Sequence, residues 1–142
     1  MIQQLPDIGF RKVGEISFRK VGEWKLSNDQ ISYELEAKTA ESKNILYAFE
    51  SGSKILYIGK TTQPLKAQMY GYKNPGKRQL TNRRIKENLT GLLRAPNCSV
   101  SIFVLPDPGL LMYGGFHLNL AAGLKDDIIF QLQPEWNING LA

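Results

Sequence analysis

Two apolar runs, Ile45-Leu46-Tyr47-Ala48-Phe49 and Lys54-Ile55-Leu56-Tyr57-Ile58-Gly59-Lys60, flank the short loop Glu50-Ser51-Gly52-Ser53. Runs of isoleucine, leucine, tyrosine and phenylalanine around a loop that contains glycine predict a β-hairpin. In such a hairpin, Tyr47 and Tyr57 lie side by side on neighbouring strands. Two phenols beside a phosphate could orient or deprotonate a water molecule, which is a step that phosphodiester hydrolysis needs.

Length and composition limit the class of protein. The chain of 142 residues is long enough for one domain with a single core, and its 42% hydrophobic content is ordinary for a globular protein. No apolar stretch reaches the roughly 18 residues of a membrane span, and the N-terminus lacks the residue order of a signal peptide. Cys98 is the only cysteine, which excludes a disulfide within the chain. We therefore expect a cytoplasmic protein with no membrane partner.

The positive charge of the chain is concentrated between residues 54 and 94. This segment has ten basic residues and one acidic residue, hence +9, while the remainder has eight basic and twelve acidic residues, hence −4. Solvated helix faces normally carry both signs, so this asymmetry favours a polyanion, first of all double-stranded DNA, as the partner. The candidate DNA contacts are Lys66, Lys73, Lys77, Arg78, Arg83, Arg84 and Lys86.

Cap and turn signals divide the rest of the chain into short elements. Proline in a first helical turn and a four-residue spacing of apolar residues predict helices, and alternation of apolar with other residues predicts a strand. The expected elements are a strand over 31–35, helices over about 61–72, 81–93 and 116–133, and a strand over 98–105. This mixture of strands and helices predicts the α+β class.

The N-terminus contains a tandem octapeptide over residues 8–15 and 16–23. Two copies are too few and too short for a solenoid, which needs about three or more longer repeats. We expect an N-terminal extension over residues 1–43 that forms a hairpin or an arm, and a main domain over residues 44–142. The two are expected to make one compact unit.

The hairpin with Tyr57-Ile58-Gly59 resembles that of the GIY-YIG nucleases, although Leu46-Tyr47 keeps only the tyrosine of the first half. Pro134 and Asn137 match the C-terminal ending of the family. The resemblance spans about residues 44–139 and is greatest to the small restriction endonucleases of the family. It implies a small central antiparallel sheet of about three strands flanked by helices, and metal-dependent hydrolysis of DNA phosphodiester bonds.

The resemblance also implies a set of site residues. Gln68 stands where the family has an arginine, and Tyr72 follows one helical turn later. The positions that match catalytic residues are Tyr47, Tyr57, Lys60, Gln68 and Tyr72, with Gly59 and Asn137 as structural positions beside them. Two of the family's charged positions, the arginine and the metal-binding glutamate, are therefore changed in this chain.

Lys125 stands nine residues before Pro134, where the resemblance implies a glutamate that binds Mg²⁺. Asp126 and Asp127 are expected to point elsewhere, because adjacent helical residues are about 100° apart around the axis. Replacing a carboxylate with an ammonium removes a hard oxygen ligand and repels the metal ion. We therefore expect a severely impaired or inactive endonuclease that still binds DNA, with Mg²⁺ held in active relatives but not by protein ligands here.

Two other function classes stay open. A noncatalytic DNA-binding pseudoenzyme of the same fold and a basic RNA-binding protein would both explain the charge pattern. A phosphate-binding P-loop ending at Gly59-Lys60-Thr61 is excluded, since Lys54 occupies the required glycine position. His117 is the only histidine, so we expect it to pack or to cap a helix rather than to act in catalysis. Cutting both strands of a symmetric site would favour a homodimer.

Overall fold

The computed structural model describes residues 2–5, 10–13, 16–107 and 109–138. In chain order, the elements are β1 (Ile2–Leu5), β2 (Phe10–Val13), β3 (Ile16–Ser27), β4 (Gln30–Leu35), α1 (Ala37–Ala40), β5 (Ile45–Ser51), β6 (Lys54–Thr61), α2 (Leu65–Lys73), α3 (Leu80–Arg94), β7 (Val100–Leu105), β8 (Met112–Tyr113), β9 (Phe116–His117), α4 (Leu120–Leu132) and α5 (Glu135–Ile138). The predicted α+β class is confirmed.

One antiparallel sheet runs through the molecule in the order β1-β2-β3-β7-β5-β6. Strand β4 pairs with the same edge of β3 as β2 does, because both meet β3 on the side away from β7. The expectation of about three strands was wrong, since the sheet has seven. The difference arises because the 12-residue strand β3 joins the N-terminal strands to β7.

The described parts of the tandem octapeptide pair with each other. Phe10 lies opposite Arg19 and Val13 lies opposite Ile16, so the two copies form neighbouring antiparallel strands. Residues 8, 9, 14 and 15 of the first copy lie outside the described residues. The predicted contact of this segment with phosphate stays a prediction.

Strands β5 and β6 form the hairpin that the sequence predicts. Their register sets Tyr47 opposite Gly59 and Phe49 opposite Tyr57, with a bulge directly after Phe49. Because side chains alternate between faces, Tyr47 and Tyr57 share one face of the sheet. Strand β6 is the last in the sheet order, so the second tyrosine lies on an edge strand.

Helices cover both faces of the sheet. Helices α2 and α3 pack on the face that carries Tyr47 and Tyr57, around the buried side chains of Trp24 and Trp136. Helix α4 packs on the opposite face, where the four-residue spacing of its apolar side chains meets the sheet as expected. No helix among the described residues is long and apolar enough to cross a membrane. The cytoplasmic location stays a prediction.

Some predicted boundaries were wrong. Helix α2 begins at Leu65 rather than at Thr61, because the Thr61 hydroxyl is hydrogen-bonded to Gln63 in the preceding turn. Strand β7 begins at Val100, two residues after Cys98. The last helix was expected from residue 116, but α4 begins at Leu120 with Asn119 as its N-cap. Residues 116 and 117 instead pair with β8 in a small separate hairpin.

Candidate functional site

Three tyrosine hydroxyls converge beneath the β5–β6 hairpin. The Tyr72 hydroxyl donates to the Tyr57 hydroxyl at 3.5 Å. The Tyr47 and Tyr72 hydroxyls are hydrogen-bonded to each other at 2.5 Å. The ring centroids of the three residues lie 6.2 to 6.4 Å apart. We refer to Tyr47, Tyr57 and Tyr72 as the phenol cluster.

Gln68 completes the hydrogen bonding of the phenol cluster from helix α2. Its amide nitrogen donates to the Tyr47 hydroxyl at 3.1 Å and to the Tyr72 hydroxyl at 3.3 Å. Its amide oxygen accepts from the side-chain nitrogen of Gln63 at 3.1 Å. Both ends of the side chain are therefore engaged, and the residue brings no positive charge to the phenols.

Burial raises the pKa of two of these phenols above the ordinary value for tyrosine. Tyr47 and Tyr72 are each 1% exposed. Burial raises the pKa of Tyr47 above its ordinary value, the nearby Tyr57 adds to the rise, and the hydrogen bonds from Tyr72 and Gln68 oppose it. Burial likewise raises the pKa of Tyr72 well above the usual range, with contributions from Tyr47 and Tyr57. In this state the two hydroxyls are hydrogen-bond partners rather than bases.

Gly59 is required by the position of the Tyr47 ring. A Cβ atom on Gly59 would lie 2.5 Å from both the Cζ and the hydroxyl oxygen of Tyr47, well inside van der Waals contact. The glycine therefore lets the phenol lie flat against the edge strand. Any larger residue would push Tyr47 out of the phenol cluster.

Asn137 fastens the C-terminal helix α5 to the open edge of β6. Its side-chain oxygen accepts from the Ile58 backbone nitrogen at 2.8 Å, and its side-chain nitrogen donates to the Ile58 carbonyl at 2.9 Å. One amide side chain thus replaces the missing neighbouring strand at that residue. The predicted structural positions, Gly59 and Asn137, both lie next to Tyr57 or Tyr47.

An open pocket of about 380 Å³ lies at this edge, between β6 and helices α3, α4 and α5. We call it the α4 pocket. Its lining residues are Tyr57, Thr81, Arg84, Lys125, Asp126, Ile129, Phe130, Gln133 and Asn137. Tyr57 belongs to both the pocket and the phenol cluster, so the two regions meet at its side chain. The structure thus places Lys125 in the same pocket as Tyr57.

The charges in the α4 pocket are not neutralised by one another. Among the described residues, neither Lys125 nor Asp126 takes part in an ion pair. Arg84 donates from Nη1 to the Trp136 carbonyl oxygen at 2.6 Å, which fixes the guanidinium at the rim. Two cations and one carboxylate leave the pocket with a net positive charge, which favours an anionic ligand.

The position of Asp126 corrects a prediction. Asp126 was expected to point away from the site, but it lines the α4 pocket beside Lys125. Residues 125, 126, 129, 130 and 133 of α4 all line the pocket. The part of the helix surface that faces the pocket therefore spans more than the roughly 100° around the helix axis that separates adjacent residues. Asp127 does face elsewhere, where its carboxylate accepts from Gln131 at 2.8 Å.

The residues of the pocket do not fit a magnesium ion held by protein ligands. Magnesium prefers octahedral oxygen coordination with carboxylates, and the pocket has one carboxylate next to two cations. In the part of the chain that the structure describes, there is no group of three His, Cys, Asp or Glu side chains that could hold a metal. An ammonium at Lys125 would repel a divalent ion from this place.

The remaining predicted site residues are more widely distributed. Lys60 is exposed, and alternation along β6 puts it on the face opposite Tyr57. Lys66 forms an ion pair with Glu41. Arg83 and Lys86 line a second pocket of about 390 Å³ at the start of α3. Within the described residues, the other candidate DNA contacts form no ion pair; they are Lys73, Lys77, Arg78, Arg83, Arg84 and Lys86.

No protein-family model matches the chain, and no curated protein matches its sequence. The structure of a mutant of EndoII from bacteriophage T4 matches it with a TM-score of 0.64, at 21% identity, over 84% of this chain and 90% of that chain. The chain has the fold of EndoII. Restriction endonuclease HPY188I in complex with product DNA matches with a TM-score of 0.44, at 15% identity, over 80% of this chain and 72% of that chain. The fold assignment depends on EndoII alone.

Proposed function

We propose that the chain is a DNA endonuclease of the restriction type, of the GIY-YIG kind, that retains DNA binding but is severely impaired in hydrolysis. The observation that carries this proposal is the pairing of Tyr57 with Lys125 in one open pocket, on a fold shared with a phage endonuclease. The phenol cluster supplies the hydrolytic scaffold, and Lys125 occupies the place where a metal-binding carboxylate would be needed.

DNA binding is supported by cations that, within the described residues, form no ion pair. Lys125 and Arg84 face the α4 pocket, and basic residues of α2, α3 and their connecting loop extend the positive charge away from it. Duplex DNA carries a dense row of phosphates, and lysine and arginine contacts to them release counterions, which supplies sequence-independent affinity. Lys125 would contact a backbone phosphate as a point charge.

The case for impaired hydrolysis depends on missing charge stabilisation. Tyr57 accepts a hydrogen bond from Tyr72, so its own proton can be donated to a phosphate oxygen or a water in the pocket. It can therefore orient a reactant, but Gln68 gives the cluster no cation to favour a phenolate. Losing one well-placed electrostatic group costs on the order of 10²-fold or more in rate, and this chain lacks two.

The test is incubation of supercoiled plasmid with the chain and magnesium, beside the double variant Lys125→Glu, Gln68→Arg. We expect no cutting by the chain and a gain on the order of 10²-fold or more in the double variant. The variant Lys38→Glu, Gln30→Arg makes the same charge changes at two exposed positions that belong neither to the phenol cluster nor to the α4 pocket, and it should stay inactive. Robust cutting by the unaltered chain would overturn the proposal.

Two other functions would also explain the positive charge, and binding and cleavage measurements distinguish them from the proposed one. A basic RNA-binding protein would prefer structured RNA over duplex DNA in a competition at fixed salt, whereas we expect duplex DNA to compete better. A pseudoenzyme with no endonuclease ancestry in its site would bind DNA but stay inactive after both reversions. Either result would replace the proposed function.

A further inference from the structure

A short ribbon before helix α4 exposes a dense set of apolar side chains. It consists of residues 110–118, with β8 and β9 as its two strands. The exposed fractions are 79% for Leu110, 41% for Leu111, 59% for Met112, 82% for Tyr113, 78% for Phe116 and 46% for Leu118. Contiguous apolar surface of this kind marks an interaction site in a folded protein. We call residues 110–118 the apolar ribbon.

The apolar ribbon is held in a defined position. Gly114 and Gly115 have φ angles of 61° and 86°, which give the two-residue turn whose twist suits a β-hairpin. The Leu118 nitrogen donates to the Leu111 carbonyl at 2.8 Å and extends the pairing toward the body of the protein. A ribbon that is already ordered loses little conformational entropy when it binds a partner.

A buried carboxylate anchors the base of the ribbon. Asp107, whose side chain is 7% exposed, lies 3.1 Å from Nε2 of His117. The same carboxylate accepts from the Leu120 backbone nitrogen at 3.3 Å and from the Asn119 side-chain nitrogen at 3.0 Å. The ribbon and the first turn of α4 are thereby tied to the end of β7.

One face of the ribbon is wholly apolar. Tyr113 lies opposite Phe116, and Leu111 lies opposite Leu118, so alternation places these four side chains on the same face. An aromatic pair stands at the tip and a leucine pair stands at the base. Such a face can pack against another copy of itself, because a two-fold interface brings the same patch of both subunits together.

We propose that the apolar ribbon is the dimer interface of this protein, and that its occupant is the ribbon of a second copy. The distribution of charge along the chain favours a second copy over DNA or a lipid surface as the partner of the ribbon. Residues 107–124 contain no lysine or arginine and one acidic residue, in a chain of net charge +5. Two basic chains repel each other least at this segment, while DNA phosphates and acidic lipid headgroups find no cation on it.

The apolar face supplies most of the area that a second copy needs. Aromatic side chains bury about 150–250 Å² each, so the four exposed side chains of this face leave on the order of 500 Å² uncovered, and Leu110 and Met112 on the other face bring the whole ribbon to on the order of 700 Å². A stable interface of standard size takes about 800 Å² from each partner. A two-fold axis through the ribbons would also relate two α4 pockets, as a protein that acts on both strands of a symmetric site requires.

The test is sedimentation equilibrium of the full chain over roughly 1–100 µM, without DNA. We expect a monomer–dimer equilibrium for the chain. The double variant Tyr113→Glu, Phe116→Glu should be monomeric, with a dissociation constant raised at least about 30-fold, since central aromatic residues dominate interfaces. The matched control Tyr70→Glu alters a tyrosine that is 56% exposed on α2 and should leave the dimer intact. Circular dichroism checks that each variant is folded.

A chain that stays monomeric over this range, or a dimer that the double variant leaves unchanged, would overturn the proposal. So would a monomer that sediments with phosphatidylcholine vesicles, because the ribbon would then contact lipid rather than a second copy. If the double variant proves unfolded, distance measurements decide. Spin labels at position 113 of the Tyr113→Cys, Cys98→Ser chain should lie close together across the dimer axis, and widely separated labels would contradict the interface.

Discussion

The phenol cluster and the α4 pocket share Tyr57, yet their other side chains differ in burial and in charge. In the cluster, Tyr47 and Tyr72 are buried, neutral and hydrogen-bonded on every side. In the pocket, Lys125 is half-buried and Asp126 is exposed, and within the described residues neither takes part in an ion pair. The first region belongs to the core of the protein, and the second belongs to its surface.

This difference bears on the proposed loss of hydrolysis, because the two regions respond differently to substitution. A change inside the phenol cluster breaks packing and hydrogen bonds, so folding itself maintains it. Lys125 is half-buried and lines an open pocket, so changing it to another polar residue disturbs less packing than changing a fully buried tyrosine. Chemistry that depends on the pocket can therefore change without a cost in stability, whereas the tyrosines cannot.

The largest expected effect is on stability, because the phenol cluster is part of the core whereas the α4 pocket is not. Tyr47→Ala should lower the free energy of unfolding by about 3–5 kcal/mol, because a fully buried aromatic ring is removed and a cavity remains. Tyr70→Ala, at an exposed tyrosine on the adjacent helix, should change it by less than about 0.5 kcal/mol. Urea unfolding measures both. Equal effects of the two substitutions would contradict the structural role of the cluster.

Much of the cluster could be predicted from sequence, because local signals specify it. Apolar runs and the loop at Gly52 predicted the hairpin, and the tyrosines lie on strands where β pairing brings them together. Gln68 was predicted as a site position, but its hydrogen bonds were not foreseeable. Two of them are local, to Gln63 and to Tyr72 of the same helix, whereas the bond to Tyr47 depends on how α2 docks on the sheet, which is a long-range property.

Other features could not be predicted because they depend on contacts between residues that lie far apart in the sequence. Strand β3 carries alternating charges over part of its length, and its pairing with β7 is what makes it central to the sheet. The role of Asp126 depends on the width of a pocket formed by three helices. The apolar ribbon did have a local signal, since Gly114-Gly115 between aromatic residues is typical of a tight hairpin turn.

Asn137 lines the α4 pocket and is hydrogen-bonded to Ile58, the residue next to Tyr57, so it offers a second test. Asn137→Ala should lower the free energy of unfolding by about 2–4 kcal/mol, because it leaves the nitrogen and the carbonyl of Ile58 without partners at a buried place. Asn74→Ala, at an exposed position directly after α2, serves as the control and should be close to neutral. Thermal unfolding that is unchanged by Asn137→Ala would show that α5 is not fastened to β6 in this way.

The buried phenols also make the stability of the protein depend on alkaline pH. The unfolded chain releases tyrosine protons near about pH 10, whereas the folded chain keeps those of Tyr47 and Tyr72 because burial raises their pKa values. Stability from this source is therefore complete below about pH 10 and falls above it, by about 1.4 kcal/mol per pH unit for each such phenol.

Tyr47→Phe removes one of these protons, so its stability should decline less steeply above about pH 10 than that of the unaltered chain. Tyr113→Phe, at a tyrosine that is 82% exposed, should leave the slope unchanged. Urea unfolding between about pH 9 and pH 11 measures the slopes. Parallel slopes for the chain and Tyr47→Phe would mean that Tyr47 titrates normally in the folded protein.

The measurement that tests the account most directly is the affinity for duplex DNA, by fluorescence anisotropy, in EDTA and then with increasing magnesium. We expect the chain to bind without metal and to bind more weakly as magnesium rises, because the ion competes as a counterion. Lys125→Glu should bind about 10-fold more weakly in EDTA and recover as magnesium is added, whereas the control Lys38→Glu should follow the unaltered chain. A chain that needs magnesium to bind DNA, or a Lys125→Glu variant with the same metal response as the unaltered chain, would contradict the claim that Lys125 takes the place of the metal.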